Sequence, residues 1–114
     1  MDININITDK RALVEGTPVI ICGNSDYVVN FAFDDEWTPH SAKTARFVWC
    51  RDAATEYADV DFSGSSVNAP MLIDVAEVYI GVFAGDLITS TPVRVACERS
   101  IKCKAGTPRV SEVG

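Results

Sequence analysis

Polar and apolar residues alternate from the start of the chain. Ile3, Ile5 and Ile7 interleave with Asp2, Asn4, Asn6 and Thr8. A period of two sends successive side chains to opposite faces, so this segment is a half-buried strand with its isoleucines inward. Asp9 and Lys10 follow as a turn. A second apolar run, residues 17–22, ends in the turn formers Gly23, Asn24, Ser25 and Asp26. Tyr27, Val29, Phe31 and Phe33 then share one face, with Asn30 on the other. The two runs and the turn between them predict a hairpin.

Residues 34–41 form a polar loop interrupted by Trp37 and Pro39. The alternation resumes over 43–50, with Ala45, Phe47 and Trp49 inward and Thr44 and Arg46 outward. After a turn at 51–55, residues 56–62 return with Ala58, Val60 and Phe62 on one face and Tyr57, Asp59 and Asp61 on the other. Residues 63–66 are a short loop, and 70–74 start a helical turn or a strand. A strand over 75–83 puts Val78, Ile80 and Val82 on one face. The last long strand spans 87–97 and is broken by Pro92, which cannot donate to a ladder.

Seven to eight short strands, with turns about every 8–12 residues, predict an all-β fold. The expected architecture is an immunoglobulin-like antiparallel β-sandwich, with a small closed barrel as its rival. One domain at 1–104 and a flexible tail at 105–114 complete the division of the chain. Composition strengthens this picture, because 14 Val, 9 Ile and 8 Thr stand against only 3 Leu. β-Branched side chains favour a pleated surface and lose freedom in helices. No run reaches the ~18 apolar residues of a membrane span, so no membrane insertion is expected. The N-terminus has neither the basic nor the apolar part of a signal peptide, which predicts a compartment that keeps thiols reduced.

The net charge of −6 lacks a basic footprint and argues against nucleic acid as a partner. Its distribution is uneven. Residues 1–93 carry 14 acids against 5 bases, whereas 94–114 carry Arg94, Arg99, Lys102, Lys104 and Arg109 against Glu98 and Glu112. The basic end either docks on an acidic surface, such as a neighbouring subunit, or balances the body as a solvated end.

Candidate chemistry is sparse. Cys22, Cys50, Cys97 and Cys103 form no C-x-x-C pair, and His40 is the single imidazole. A zinc site needs clustered ligands, so the cysteines are expected as small buried hydrophobes or as a bridge across the core. His40 is expected as an exposed loop residue. No nucleophile motif and no phosphate-binding glycine loop occurs. Asp34-Asp35-Glu36 lacks the alternating oxygens of a calcium loop. These acids, with Asp59 and Asp61, are expected to be solvated and to discourage edge pairing. The sequence therefore predicts no enzyme, no cofactor and no metal. Trp37, Tyr57 and Tyr79 are the aromatics able to stack on a sugar, and Trp37 has a second reading as a cap folded onto the sandwich.

Several short segments resemble a known pattern. Asn24-Ser25-Asp26-Tyr27 precedes Phe33-Asp34-Asp35-Glu36-Trp37, and Lys43-Thr44-Ala45-Arg46-Phe47 opens the next strand. Val78-Tyr79-Ile80-Gly81-Val82-Phe83-Ala84-Gly85, Ile88-Thr89-Ser90-Thr91-Pro92 and Arg99-Ser100-Ile101 follow in order. Over residues 20–103 the chain resembles small structural proteins of the tail or baseplate of tailed bacteriophages and prophages. It is similar to the immunoglobulin-like N-terminal domain of baseplate upper proteins. The resemblance implies a non-enzymatic virion protein, made in the bacterial cytoplasm, that contacts other virion proteins and forms a homo-oligomer. The alternative function is a carbohydrate-binding module for a bacterial surface glycan. Asp35, Glu36, Trp37, His40, Tyr57 and Tyr79 are the candidate interaction residues for either role.

Overall fold

A computed structural model describes residues 2–51 and 53–99. The expected tail at 105–114, Cys103, and the Ser100-Ile101 end of the resemblance lie outside the described residues.

Ten strands occur among the described residues: β1 Asp2–Thr8, β2 Arg11–Val14, β3 Val19–Ile21, β4 Val28–Phe33, β5 Ala42–Arg51, β6 Ala54–Ser63, β7 Ser66–Asn68, β8 Glu77–Ala84, β9 Ile88–Thr89 and β10 Val93–Glu98. They form two packed sheets. One has the order β2-β1-β4-β7; the other runs β3-β10-β8-β5-β6, with β9 paired to β8. The all-β sandwich is as the alternation predicts, with ten strands in place of seven to eight.

Both sheets are mixed. β1 pairs with β4 in parallel, and β10 with β3 likewise. The expected hairpin between residues 17–22 and 27–33 does not form. The intervening turn instead carries the chain across the sandwich, so β3 and β4 lie in different sheets. Tyr27 secures this crossing, because its hydroxyl accepts a hydrogen bond from the Ile21 amide at 2.9 Å. β2 escapes the pattern because Leu13 points outward and is 71% exposed. The turn before it is legible: Asp9 and Lys10 both have positive φ, 53° and 66°. Two left-handed residues match the twist of a two-residue hairpin.

The core is built by parity. Ile3, Ile5 and Ile7 of one sheet are each 1% exposed, and Val78, Ile80 and Val82 of the other are as deeply buried in the same core cluster. Ala45 and Phe47 are fully buried as expected, while Trp49 is half-buried and its Nε1–H donates to Glu56 at 2.9 Å. Ala58, Val60 and Phe62 are only half-buried, since β6 is the last strand of its sheet. Pro92 breaks the final run as predicted, into β9 and β10. At the break the Ser90 hydroxyl accepts from the Val82 amide at 3.1 Å, and the Ser90 amide donates to the Val82 carbonyl at 2.9 Å. The side chain thus takes over a ladder position that the break leaves open.

One end of the sandwich is closed by aromatic rings. Trp37 is 2% exposed and its ring lies 5.0 Å from Phe33. Phe33 stacks on Phe31 at 5.4 Å, and Phe31 on Phe62 at 5.7 Å. Lys43 shares the inward parity of Ala45 and Phe47 and is 7% exposed. Its ammonium lies 5.0 Å from the Phe33 centroid and 5.6 Å from Phe62, and donates to the Ser41 and Gly64 carbonyls. Burial pushes its pKa down.

Candidate interaction face

Because Val78, Ile80 and Val82 point inward, Glu77, Tyr79, Gly81 and Phe83 of β8 must point out. The register sets Arg46 opposite Asp59 on one side and Gly81 on the other. Val48 lies between Tyr57 and Tyr79 in the same way. The outer face of the larger sheet therefore carries a central arginine ringed by aromatic and apolar groups.

Arg46 is held in place on several sides. Its guanidinium lies 4.5 Å from the Tyr57 ring centroid and 5.2 Å from that of Phe83. Asp59 accepts from Nε and Nη2 at 2.8 and 2.9 Å. That pairing holds the Asp59 carboxyl below its usual range and raises the pKa of Arg46. Gly81 adds no side chain beside it; a Cβ there would meet Ser90 Oγ at 3.7 Å. A second charged group lies beside this one. Glu77 accepts from Arg94 and, at 3.1 Å, from the Tyr79 hydroxyl. The Arg94 bond, then the Tyr79 bond, hold Glu77 low, and Glu77 raises the pKa of Tyr79.

Two shallow hollows open on this face. One, of about 170 Å³, lies over Gly81 between Arg46, Val48, Tyr79, Phe83 and Pro92. The next, of about 540 Å³, runs past Phe83 and Arg46 to Lys10 and Leu87. Leu87 is 78% exposed at its rim.

The outer face of the smaller sheet is different. Asn30 donates to Asn4 at 3.1 Å and accepts from Ser66 at 2.7 Å. These residues are register partners on β1, β4 and β7, so an amide ladder crosses the sheet. Asn6 extends the polar surface by donating to Glu15 at 3.0 Å.

The structure separates the six sequence candidates. Tyr57 and Tyr79 share the aromatic face and are 60% and 38% exposed. Asp35, Glu36, Trp37 and His40 lie elsewhere, on a 3-10 turn at Asp35–Trp37 and just after it. Asp34 caps that turn by accepting from the Glu36 amide, and its other oxygen accepts from the Asp9 amide of the β1–β2 turn. Glu36 pairs with Lys10 at 2.6 Å, a bond that also raises the pKa of Lys10. Trp37 takes its second reading, as a buried cap. His40 is half-buried rather than exposed, because its amide donates to the Trp37 carbonyl at 2.9 Å and ties it to the turn. It lines a separate hollow of about 330 Å³ with Lys43, Phe33 and Trp37.

Arg46, Gly81 and Phe83 were absent from the sequence candidates. Their signal was parity, since Phe83 alternates with Val82 and so faces out, although phenylalanine is a core residue by type. Among the described residues no disulfide joins Cys22, Cys50 and Cys97, so the expected bridge does not form between them. Cys22 and Cys97 are buried as expected, and Cys50 is exposed. No group of three or more metal-ligating side chains occurs among the described residues. No helix among them is long and apolar enough to cross a membrane. Comparison of the chain with known protein families gives no match, and comparison with curated proteins gives none.

Proposed function

We propose that this chain is a non-enzymatic structural protein of a phage or prophage tail or baseplate, which docks on other virion proteins through the outer face of its larger sheet. The virion role rests on the ordered sequence segments that resemble such proteins. The observation that carries the docking face is the Tyr57–Arg46–Phe83 cluster braced by Asp59. Tyrosine and arginine are enriched at the residues that dominate protein contacts, tyrosine because it presents a large area with few rotamers to freeze and arginine because its planar guanidinium stacks and donates several hydrogen bonds. Here Arg46 is already fixed before a partner arrives, which lowers the ordering cost of binding. The adjacent hollows have room for single side chains of a partner rather than for an enclosed substrate.

A glycan-binding role has one observation in its favour, that Tyr57 and Tyr79 are open on the same face. Against it, Arg46 already occupies one face of the Tyr57 ring and leaves only the other for a sugar to stack on.

The test is incorporation into particles. Phage particles produced with Tyr57→Ala/Phe83→Ala chain should contain at least tenfold less of it than particles made with wild type, by quantitative mass spectrometry. The variant should remain folded, with stability within about 1 kcal/mol of wild type, because both side chains lie outside the core. Equal incorporation would refute the docking face, and absence of the wild-type chain from particles would refute the virion role. Shifts at Tyr57 and Tyr79 in a spectrum titrated with a bacterial surface oligosaccharide, without particle incorporation, would establish the glycan role instead.

A further inference from the structure

The longer open edge of the larger sheet has a complement within the same sequence. β6 spans ten residues, Ala54–Ser63, and among the described residues it pairs only with β5. Every second residue of such a strand presents its N–H and C=O to the open side. Its inward row, Ala58, Val60 and Phe62, is half-buried, and no strand among the described residues extends the sheet beyond it. Its outward row carries Asp59 and Asp61, and Asp61 accepts from Thr44 at 2.7 Å. A strand that suits this edge alternates apolar residues with cations. Ile101, Lys102, Cys103 and Lys104 do so in order.

We propose that the edge of β6 receives residues 101–104 of a second copy as an added antiparallel strand. With Cys103 opposite Val60, Lys102 faces Asp61, Lys104 faces Asp59, and Ile101 extends the core over Phe62. Directly opposed residues share a face, so each cation meets an acid and each apolar residue meets the half-buried row. The same acids oppose pairing of β6 with another β6, since registers centred near Val60 bring Asp59 and Asp61 together.

The strand cannot come from the same chain. Ala96 is level with Glu77, Val48 with Tyr79, and Arg51 with Ala54, so Glu98 lies level with the β5–β6 turn and three strands from β6. At a spacing of ~4.8 Å between strands and ~3.4 Å per residue, the edge beside Asp61 lies about 30 Å away. Four residues from Glu98 to Lys102 span at most about 14 Å. The occupant is therefore another molecule, which makes the contact one of self-association. This inference rests on the reading of the chain as an assembly protein and names one partner, the chain itself.

Sedimentation velocity on the full chain tests it. Wild type should self-associate at micromolar concentration, more weakly at 0.5 M salt. Asp61→Lys alone and Lys102→Asp alone should each weaken association at least tenfold. The double variant should recover to within threefold of wild type. In a Cys50→Ser background, Val60→Cys should form an intermolecular disulfide with Cys103 on oxidation, and Cys103→Ser should abolish it. A wild-type monomer at all concentrations overturns the proposal, as does association unaffected by either single reversal. A monomer that still enters particles would overturn this contact and leave the docking face standing. A chain that associates with the predicted charge swap yet is missing from particles would support this contact and refute the virion role.

Discussion

Truncating Trp37 to alanine removes a fully enclosed ring from the cluster with Phe33, and we expect a loss of about 3–5 kcal/mol in urea unfolding. Trp37→Phe should cost less, about 1–2 kcal/mol, because the Nε1–H has no hydrogen-bond partner among the described residues and only volume is lost. A cost below 1 kcal/mol for the alanine variant would return Trp37 to the surface. Cys97 gives a second residue-scale expectation. Burial, with a smaller contribution from Cys22, pushes its thiol up from 9.0 to about 12. Above pH 9 the unfolded chain loses this proton while the folded chain keeps it. Stability therefore falls as pH rises from about 9 toward 12, by about 1.4 kcal/mol per unit more than in Cys97→Val. Urea midpoints of the two proteins between pH 8 and 10.5 check this, and parallel curves would refute it. Of the two sequence readings for Cys97, a small buried hydrophobe or half of a bridge, burial is the one observed, and burial is also what keeps its thiol protonated. The fate of Trp37 was not decided by sequence, since a ring in a polar loop can cap a core or contact a partner. Only the Asp34 cap and the neighbouring phenylalanines settle it.

At the level of elements, alternation located β1, β4, β5, β6, β8 and the Pro92 break, because one buried face per strand imposes a period of two. It missed β2 and β7, which are short, and it could not assign sheets. The segment around Gly23–Asp26 has the chemistry of a hairpin turn yet crosses between layers; the tie from Ile21 to Tyr27 across it is a side-chain to backbone bond that alternation does not register. The same limit hid the interaction face. Parity showed that Arg46, Tyr57, Tyr79 and Phe83 point outward, but neighbourhood depends on strand order, which placed β8 beside β5. The break between β9 and β10 yields a direct expectation. Ser90→Ala leaves the Val82 amide without its acceptor in the sheet, and should cost about 1–2 kcal/mol. Faster hydrogen exchange confined to Val82 and its neighbours would localise the effect, whereas an unchanged rate there would show that Ser90 is dispensable.

For the molecule as a whole, the proposed docking face and the proposed edge contact can be tested apart. The Tyr57→Ala/Phe83→Ala variant tests one surface without disturbing the core, and the Asp61–Lys102 reversal tests the sheet edge without disturbing that surface. The predicted effects are separable because Asp61 is not among the groups that hold Arg46. The amide ladder of Asn4, Asn30 and Ser66 has its own consequence. Both amide oxygens and the Ser66 hydroxyl proton are already paired along the ladder, and these groups would gain little by giving up hydration for a flat neighbour. Copies joined by their edges and docked by their aromatic side would turn this wetted side outward. Such an array would stay one layer thick, with a non-adhesive exterior toward the medium.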